Sequence, residues 1–200
     1  MYDICLDTSV QSHKILCAGH ADVLRTSSSV AQRVVSCQPL PMMGVVPEQC
    51  GADDPRLPAI LALIRIGFAG MEGRIDPPSS MHDLTVAKIA KQARTGEVWV
   101  CGSEPVACVF LTPKPNRLYL SKLTVATAYR GTGFARRLVD LAETRALALG
   151  LGTLELQSRV ELTENHAAFA KLGFAVTAET RHPGYAQTTS LTMRKDVSKA

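Results

Sequence analysis

"YRGTGFARR", Tyr129–Arg137, follows the apolar run "LYLSKLTVAT" and opens into a helical pattern of Phe134, Leu138, Leu141, Ala142 and Leu149. A strand that turns through two glycines into a helix presents main-chain N–H groups that have no partner inside the helix. The helix dipole adds partial positive charge at the same end. Phosphates bind such ends, Gly131 and Gly133 would let a ligand approach the main chain, and Arg130, Arg136 and Arg137 could add charged contacts.

Three phosphate-binding patterns compete for this turn. A P-loop needs Gly-Lys-Ser/Thr where this chain has Gly133-Phe134-Ala135, so that pattern is excluded. The dinucleotide fingerprint G-x-G-x-x-G finds Arg136 in place of its third glycine, although Glu155 stands where its acidic ribose ligand would be. The third pattern, R/Q-x-x-G-x-G/A, is met in full by Arg130, Gly131, Thr132, Gly133, Phe134 and Ala135.

Residues 1–52 show no sustained helical or strand period, contain "RTSSS" and end among prolines. They are expected to be a poorly ordered N-terminal extension, with the folded domain over 53–200. Met42 and Met43 are candidate starts of translation, an expectation that deleting residues 1–41 would test. Ile60, Leu61, Ile64, Phe68 and Met71 predict a first helix. "RIDPPSS" breaks it, and Ser79 or Ser80 is expected to cap a second helix reaching Arg94. "EVWVC", "VACVFL" and "RLYLSKLTVAT" predict an antiparallel meander. After the glycine turn and its helix, "TLELQS" predicts a parallel strand, "ENHAAFAKLG" a short helix, and "FAVTAET" with "TTSLTM" a final strand pair.

Residues 1–50 hold three of the 22 basic and four of the 18 acidic side chains, so the remainder is 19 against 14, about +5. No basic stripe accompanies that charge, which suits a small polyanion and argues against nucleic acid. The six cysteines form no C-x-x-C pair and no zinc spacing, so no metal is expected, and Cys101 and Cys108 in strand-like runs suggest buried thiols in a reducing compartment. "MYDICLDTSV" lacks the features of a signal peptide, and "LPAILALIRIGFAGM" is too short to span a bilayer. A cytoplasmic protein with no membrane partner is expected.

With "LTVATAYRGTGFARRLV", "NHAAFAKLGF" and this element order, the chain resembles the GCN5-related N-acetyltransferase (GNAT) superfamily over roughly residues 55–196. The resemblance implies an α/β (mixed α+β) fold: a mostly antiparallel central sheet with one splayed parallel pair and helices on both faces. It implies acetyl-coenzyme A as cosubstrate, its pyrophosphate on the amides of Arg130 to Ala135 and its pantetheine along the preceding strand at Leu123 and Val125. The N–H of Val125 would polarise the acetyl carbonyl during direct attack by a primary amine. The alternatives are a coenzyme-binding module of the same fold without turnover, and a dinucleotide-binding oxidoreductase.

Asn165 matches a coenzyme-contacting asparagine, or else caps a short helix. Phe169 stands where many relatives have the tyrosine that protonates the thiolate, and a phenyl ring has no proton to give, so Phe169 is core or coenzyme-packing surface. Tyr185 and His182 in "RHPGY" are the nearest other acids, unless that segment is only a hairpin turn. Glu155 is the candidate base, or a solvated strand residue. "MEGRIDPPSS" sits where the family commonly builds its acceptor wall, which makes Met71, Arg74 and Asp76 candidate acceptor contacts. An alkyl amine of pKa ~10.4 carries a handicap of about 4.6 kcal/mol at pH 7 when no base assists, whereas an α-amine near 7.8 loses only about 1 kcal/mol. The strand before Val125 offers no carboxylate, so a small-molecule or peptide α-amine is the expected acceptor. A homodimer is compatible with the sequence.

Overall fold

The computed structural model describes residues 44–197. The extension expected over residues 1–52, with its candidate starts at Met42 and Met43, lies outside the described residues as far as residue 43. Its last part is corrected: Pro47–Gln49 form strand β1, and the N–H of Cys50 donates to the carbonyl of Val98 at 2.8 Å. Three residues are too few to show a period, and pairing with the next strand is what makes this segment a strand.

Helix α1, Leu57–Ala69, buries Leu57, Ile60, Ile64 and Phe68 at helical spacing and takes Pro58 in its first turn, where the missing N–H costs nothing. The capping expectation is corrected. Ser79 accepts a hydrogen bond from the N–H of Met81 and caps only the short 3₁₀ turn Ser80–Asp83. Helix α2, Val86–Thr95, is capped instead by Thr85, whose hydroxyl accepts the N–H of Lys88 at 3.2 Å.

The meander is β2 (Glu97–Cys101), β3 (Ala107–Lys114) and β4 (Arg117–Val125). There follow α3 (Phe134–Ala148), β5 (Thr153–Arg159), α4 (Thr163–Lys171), β6 (Ala175–Thr180) and β7 (Ser190–Asp196). The sheet runs β1-β2-β3-β4-β5-β7-β6, with β4–β5 its parallel pair and the other pairs antiparallel. Strand β3 runs on through Pro113 because β2 ends level with Leu111, so the proline nitrogen needs no ladder partner on that side.

Alternation along the strands divides the core between two faces. Val98, Val100, Cys108 and Phe110 pack with Ile60, Ile64, Phe68 and Ile89 of α1 and α2. Their sequence neighbours point the other way, toward α3, and Arg145 of α3 fixes that assignment with a 2.7 Å ion pair to Glu97. Burial alone would raise the carboxyl pKa of Glu97; hydrogen bonds from Arg145 and Trp99 outweigh it and hold the group below its ordinary range. Cys50, Cys101 and Cys108 are free and buried, and loss of hydration pushes the thiols of Cys50 and Cys108 up to about 12 and that of Cys101 up to about 11. Among the described residues no helix is long and apolar enough to cross a membrane.

Candidate active site

The parallel pair opens almost as soon as it forms. Strands β4 and β5 are paired at Leu118↔Leu154 and Tyr119↔Glu155, and beyond that level they separate. On the other side β4 stays with β3, through a bulge where Phe110 faces Ser121 and Cys108 faces Thr124, with Lys122 in the left-handed region at φ 53°. The N–H of Ala126 donates to the carbonyl of Val106, on the β3 side, at 2.8 Å. Successive N–H groups of a strand point to opposite edges, so that of Val125 is aimed into the gap left by β5. The carbonyl of Val125 lies on that same edge, where the side chain of Arg130 donates to it at 3.5 Å.

Directly after β4, the short turn Thr127–Tyr129 leads into the glycines, with Gly131 at φ 76° and Gly133 at φ 92°. Both need glycine for that conformation, and a Cβ at either would meet nothing within 4 Å, so the space above the turn is open. A cavity of about 360 Å³ lies there, lined by Val125, Tyr129, Arg130, Gly131, Gly133, Phe134, Ala135 and Arg136, with Ala168, Lys171 and Leu172 closing it from α4. Arg137 turns away, toward the carbonyl of Val45 at 3.4 Å, and Thr132 binds the carbonyl of Tyr129 at 2.6 Å. An N-terminal helix end, two arginines and a lysine around an open turn fit a phosphorylated ligand.

Residues 70–174 match the family model described as the Acetyltransferase (GNAT) family. The chain belongs to this family. Three solved structures share its fold: an acetyltransferase of Streptococcus agalactiae, 18% identical at TM-score 0.60 over 76% of this chain and 98% of that one; the ribosomal-protein-S18-alanine N-acetyltransferase of Escherichia coli, 16% identical at 0.56 over 78% and 96%; and the NatC complex bound to Gag peptide and CoA, 16% identical at 0.54 over 77% and 99%. A search of curated protein sequences gave no match. The GNAT sheet also removes the dinucleotide alternative's support, since that architecture rests on a mostly parallel sheet and this one has a single parallel pair.

The remaining sequence candidates fall into three groups. Leu123 of β4 and Asn165 and Phe169 of α4 are buried, and the ring of Phe169 packs edge-on to Phe174 with centroids 6.0 Å apart. Arg74, Asp76 and Tyr185 come together in a polar cluster. Tyr185 donates to Asp76 at 2.7 Å, the N–H of Asp76 donates to Glu161 at 3.1 Å, and Arg74 pairs with Glu164 at 2.5 Å. Met71 is buried in the core beneath this loop and lines a cavity of about 340 Å³ with Phe68, Gly73, Ile75, Pro78 and His82.

Glu155 is corrected. It accepts from Arg117 at 2.9 Å on one oxygen and from Arg194 at 2.9 Å on the other, level with Tyr119. Six strand steps, roughly 20 Å, separate that level from Val125, so Glu155 is an anion held between two arginines at the far end of the gap. Lys171, Ala168, Leu172 and Tyr129 were missed as cavity residues. The lysine in "FAKLGF", one turn along from Ala168, was the available signal.

Proposed function

We propose that the protein transfers the acetyl group of acetyl-coenzyme A to a primary amine by direct attack in a ternary complex. The observation that carries this reading is the Val125 N–H aimed into the gap between β4 and β5, beside a glycine turn whose cavity suits a pyrophosphate. Ser158 supports it: on the α3 face of β5 its buried hydroxyl has no hydrogen-bond partner among the described residues, and a pantetheine amide would supply one.

In the reaction the amine nitrogen attacks the thioester carbonyl carbon. The C–N bond forms, the carbonyl oxygen gains charge against the Val125 N–H, and the C–S bond breaks on collapse. A donor at that position contributes roughly 3–4 kcal/mol. The amine's proton leaves to water or a carboxylate of the polar cluster, and the thiolate takes a proton from Tyr185 or solvent. With Glu155 committed to two arginines, a weakly basic α-amine remains the acceptor that needs least help. The similar Escherichia coli enzyme is named for N-acetylating an alanine of ribosomal protein S18.

Phe169 favours a second reading, a coenzyme-binding module without turnover. Calorimetry with acetyl-coenzyme A, followed by thiol release against a panel of amines, separates the two. Binding with no thiol released by any amine would leave the module, and a clear preference for polyamines would refute the α-amine acceptor.

A further inference from the structure

Arg159, the last residue of β5, is 1% exposed and among the largest fully buried side chains of the protein. Its Nε and Nη2 have no hydrogen-bond acceptor among the described residues. Nη1 lies 3.5 Å from Nε2 of His182, and the nearest carboxylate oxygen, Oε2 of Glu161, is 3.6 Å from Nε. At that distance Glu161 offers charge without a hydrogen bond, and its Oε2 has no hydrogen-bond donor among the described residues. The Nε–Nη2 edge of a guanidinium is a fork that matches the two oxygens of a carboxylate, and here neither tine has a hydrogen-bond acceptor. An unsatisfied buried ion is costly to keep, so a partner for it is expected.

Its place in the fold says what that partner would be. Residues 155, 157 and 159 of β5 share one face, and Glu155 is level with Tyr119, so four residues on Arg159 stands across the gap from Leu123 and Thr124. Thr124 abuts Gly67 of α1, which makes this the α1 face of the sheet, opposite the glycine turn. Over it lie the loop after α1, through Asp76, and the β6–β7 loop, through His182 and Tyr185. Arg159 therefore stands on the α1 face of the sheet, near the level of the last residues of β4, and the loops over that face bring His182 and Glu161 to it.

We propose that Arg159 binds a carboxylate of the acceptor, so that the substrate is a small amino acid whose amine faces Val125 while its carboxylate fills the guanidinium fork. The inference rests on the acetyl-transfer reading. Glu161, released from its ion pair with Arg159, leaves an oxygen free to accept from the substrate's ammonium, so the two groups complement the two ends of a zwitterion.

The full-length protein is assayed by thiol release with the common amino acids and their carboxamides. Acids exceeding the matching amides at least tenfold in kcat/KM, with the advantage carried by KM, is the expected result and needs no variant. Arg159→Gln is expected to remove that advantage, and Arg159→Lys to restore part of it. Calorimetry of the coenzyme A-saturated protein with N-acetylalanine and N-acetylalaninamide gives a readout independent of turnover, and there the acid binds at least tenfold more tightly. Turnover of amines with acids and amides treated alike would overturn this inference and keep the transferase. Acid-selective binding without turnover would keep the inference and sink the transferase. A loss of thermal stability in Arg159→Gln, with acids and amides alike in the wild type, would reduce Arg159 to a structural partner of Glu161.

Discussion

The hydroxyl of Tyr185 donates a 2.7 Å hydrogen bond to Oδ1 of Asp76, joining the β6–β7 loop to the loop that follows α1. The bond to a carboxylate, which favours the neutral phenol, raises the Tyr185 pKa above its ordinary value near 10. A phenol so placed keeps its proton through the neutral and mildly alkaline range, as an acid for a departing thiolate must. Tyr185→Phe should lower kcat roughly 10²-fold with little change in coenzyme binding. The wild-type kcat should show no alkaline decline from this group below about pH 10. An unchanged turnover and pH profile in Tyr185→Phe would leave the residue as a tie between loops.

Arg136 and Arg137 are adjacent in sequence and differ in direction. Arg136 lines the cavity over the glycine turn, while Arg137 reaches the carbonyl of Val45. Arg136→Gln should weaken acetyl-coenzyme A about tenfold, near 1.4 kcal/mol, and lessen the salt dependence of binding. Arg137→Gln should leave the dissociation constant within about twofold. Calorimetry at two salt concentrations checks both, and equal losses in the two variants would contradict the direction of Arg137.

The fold was legible wherever a period runs long enough to be seen. α1, the three-strand meander and the β4–turn–α3–β5 unit all declare themselves through alternation or helical spacing and through Gly131 and Gly133. What escaped depends on contacts distant in sequence: β1 is a strand only because Pro47 to Gln49 pair with Cys101 to Trp99, and Thr85 caps α2 only because the chain spends Ser79 on an earlier turn. The site divides in the same way. Its coenzyme side is a local motif and was readable. Glu155 looked like a base because the sequence places it on the right strand, but it does not say at which level the strands part, nor that Arg117 and Arg194, 38 and 39 residues away, hold it. Arg159 gives no sign at all in "QSRV", since its fork without an acceptor exists only in three dimensions.

Asp54 joins the start of α1 to the sheet edge. Its two oxygens accept from Nε and Nη2 of Arg56 at 3.0 and 2.9 Å, and Arg56 reaches on to Glu48 of β1 at 2.7 Å. The hydrogen bonds from Arg56 hold the Asp54 carboxyl at about 2, against 3.8 ordinarily. Because the folded value lies below the unfolded one, the stabilisation is complete above about pH 5 and is lost as pH falls through the folded value. About half should remain at pH 3 and little at pH 2. Asp54→Asn should therefore cost about 1–2 kcal/mol in urea unfolding at pH 7 and correspondingly less at pH 3. A cost independent of pH would mean that the carboxylate's charge contributes nothing.

Gly67 lies inside α1, where replacing glycine by alanine ordinarily gains about 1 kcal/mol of helix stability. Here the added Cβ would overlap Cγ2 of Thr124, a buried β-branched side chain whose hydroxyl is already bonded to the carbonyl of Lys122 at 3.1 Å. Thr124 cannot swing aside without breaking that bond at the bulge, and α1 cannot lift without exposing Ile64 and Phe68. Overpacking of this kind costs about 1–3 kcal/mol, more than the helix gains. Gly67→Ala should thus lower stability, and because the strain falls one residue before Val125 it should also reduce turnover. The double variant Gly67→Ala with Thr124→Ser, which removes the overlapping methyl and keeps the hydroxyl, should recover most of both. Urea unfolding and thiol release on the two variants check the argument, and a single variant as stable as the wild type would refute the close approach of α1 to β4.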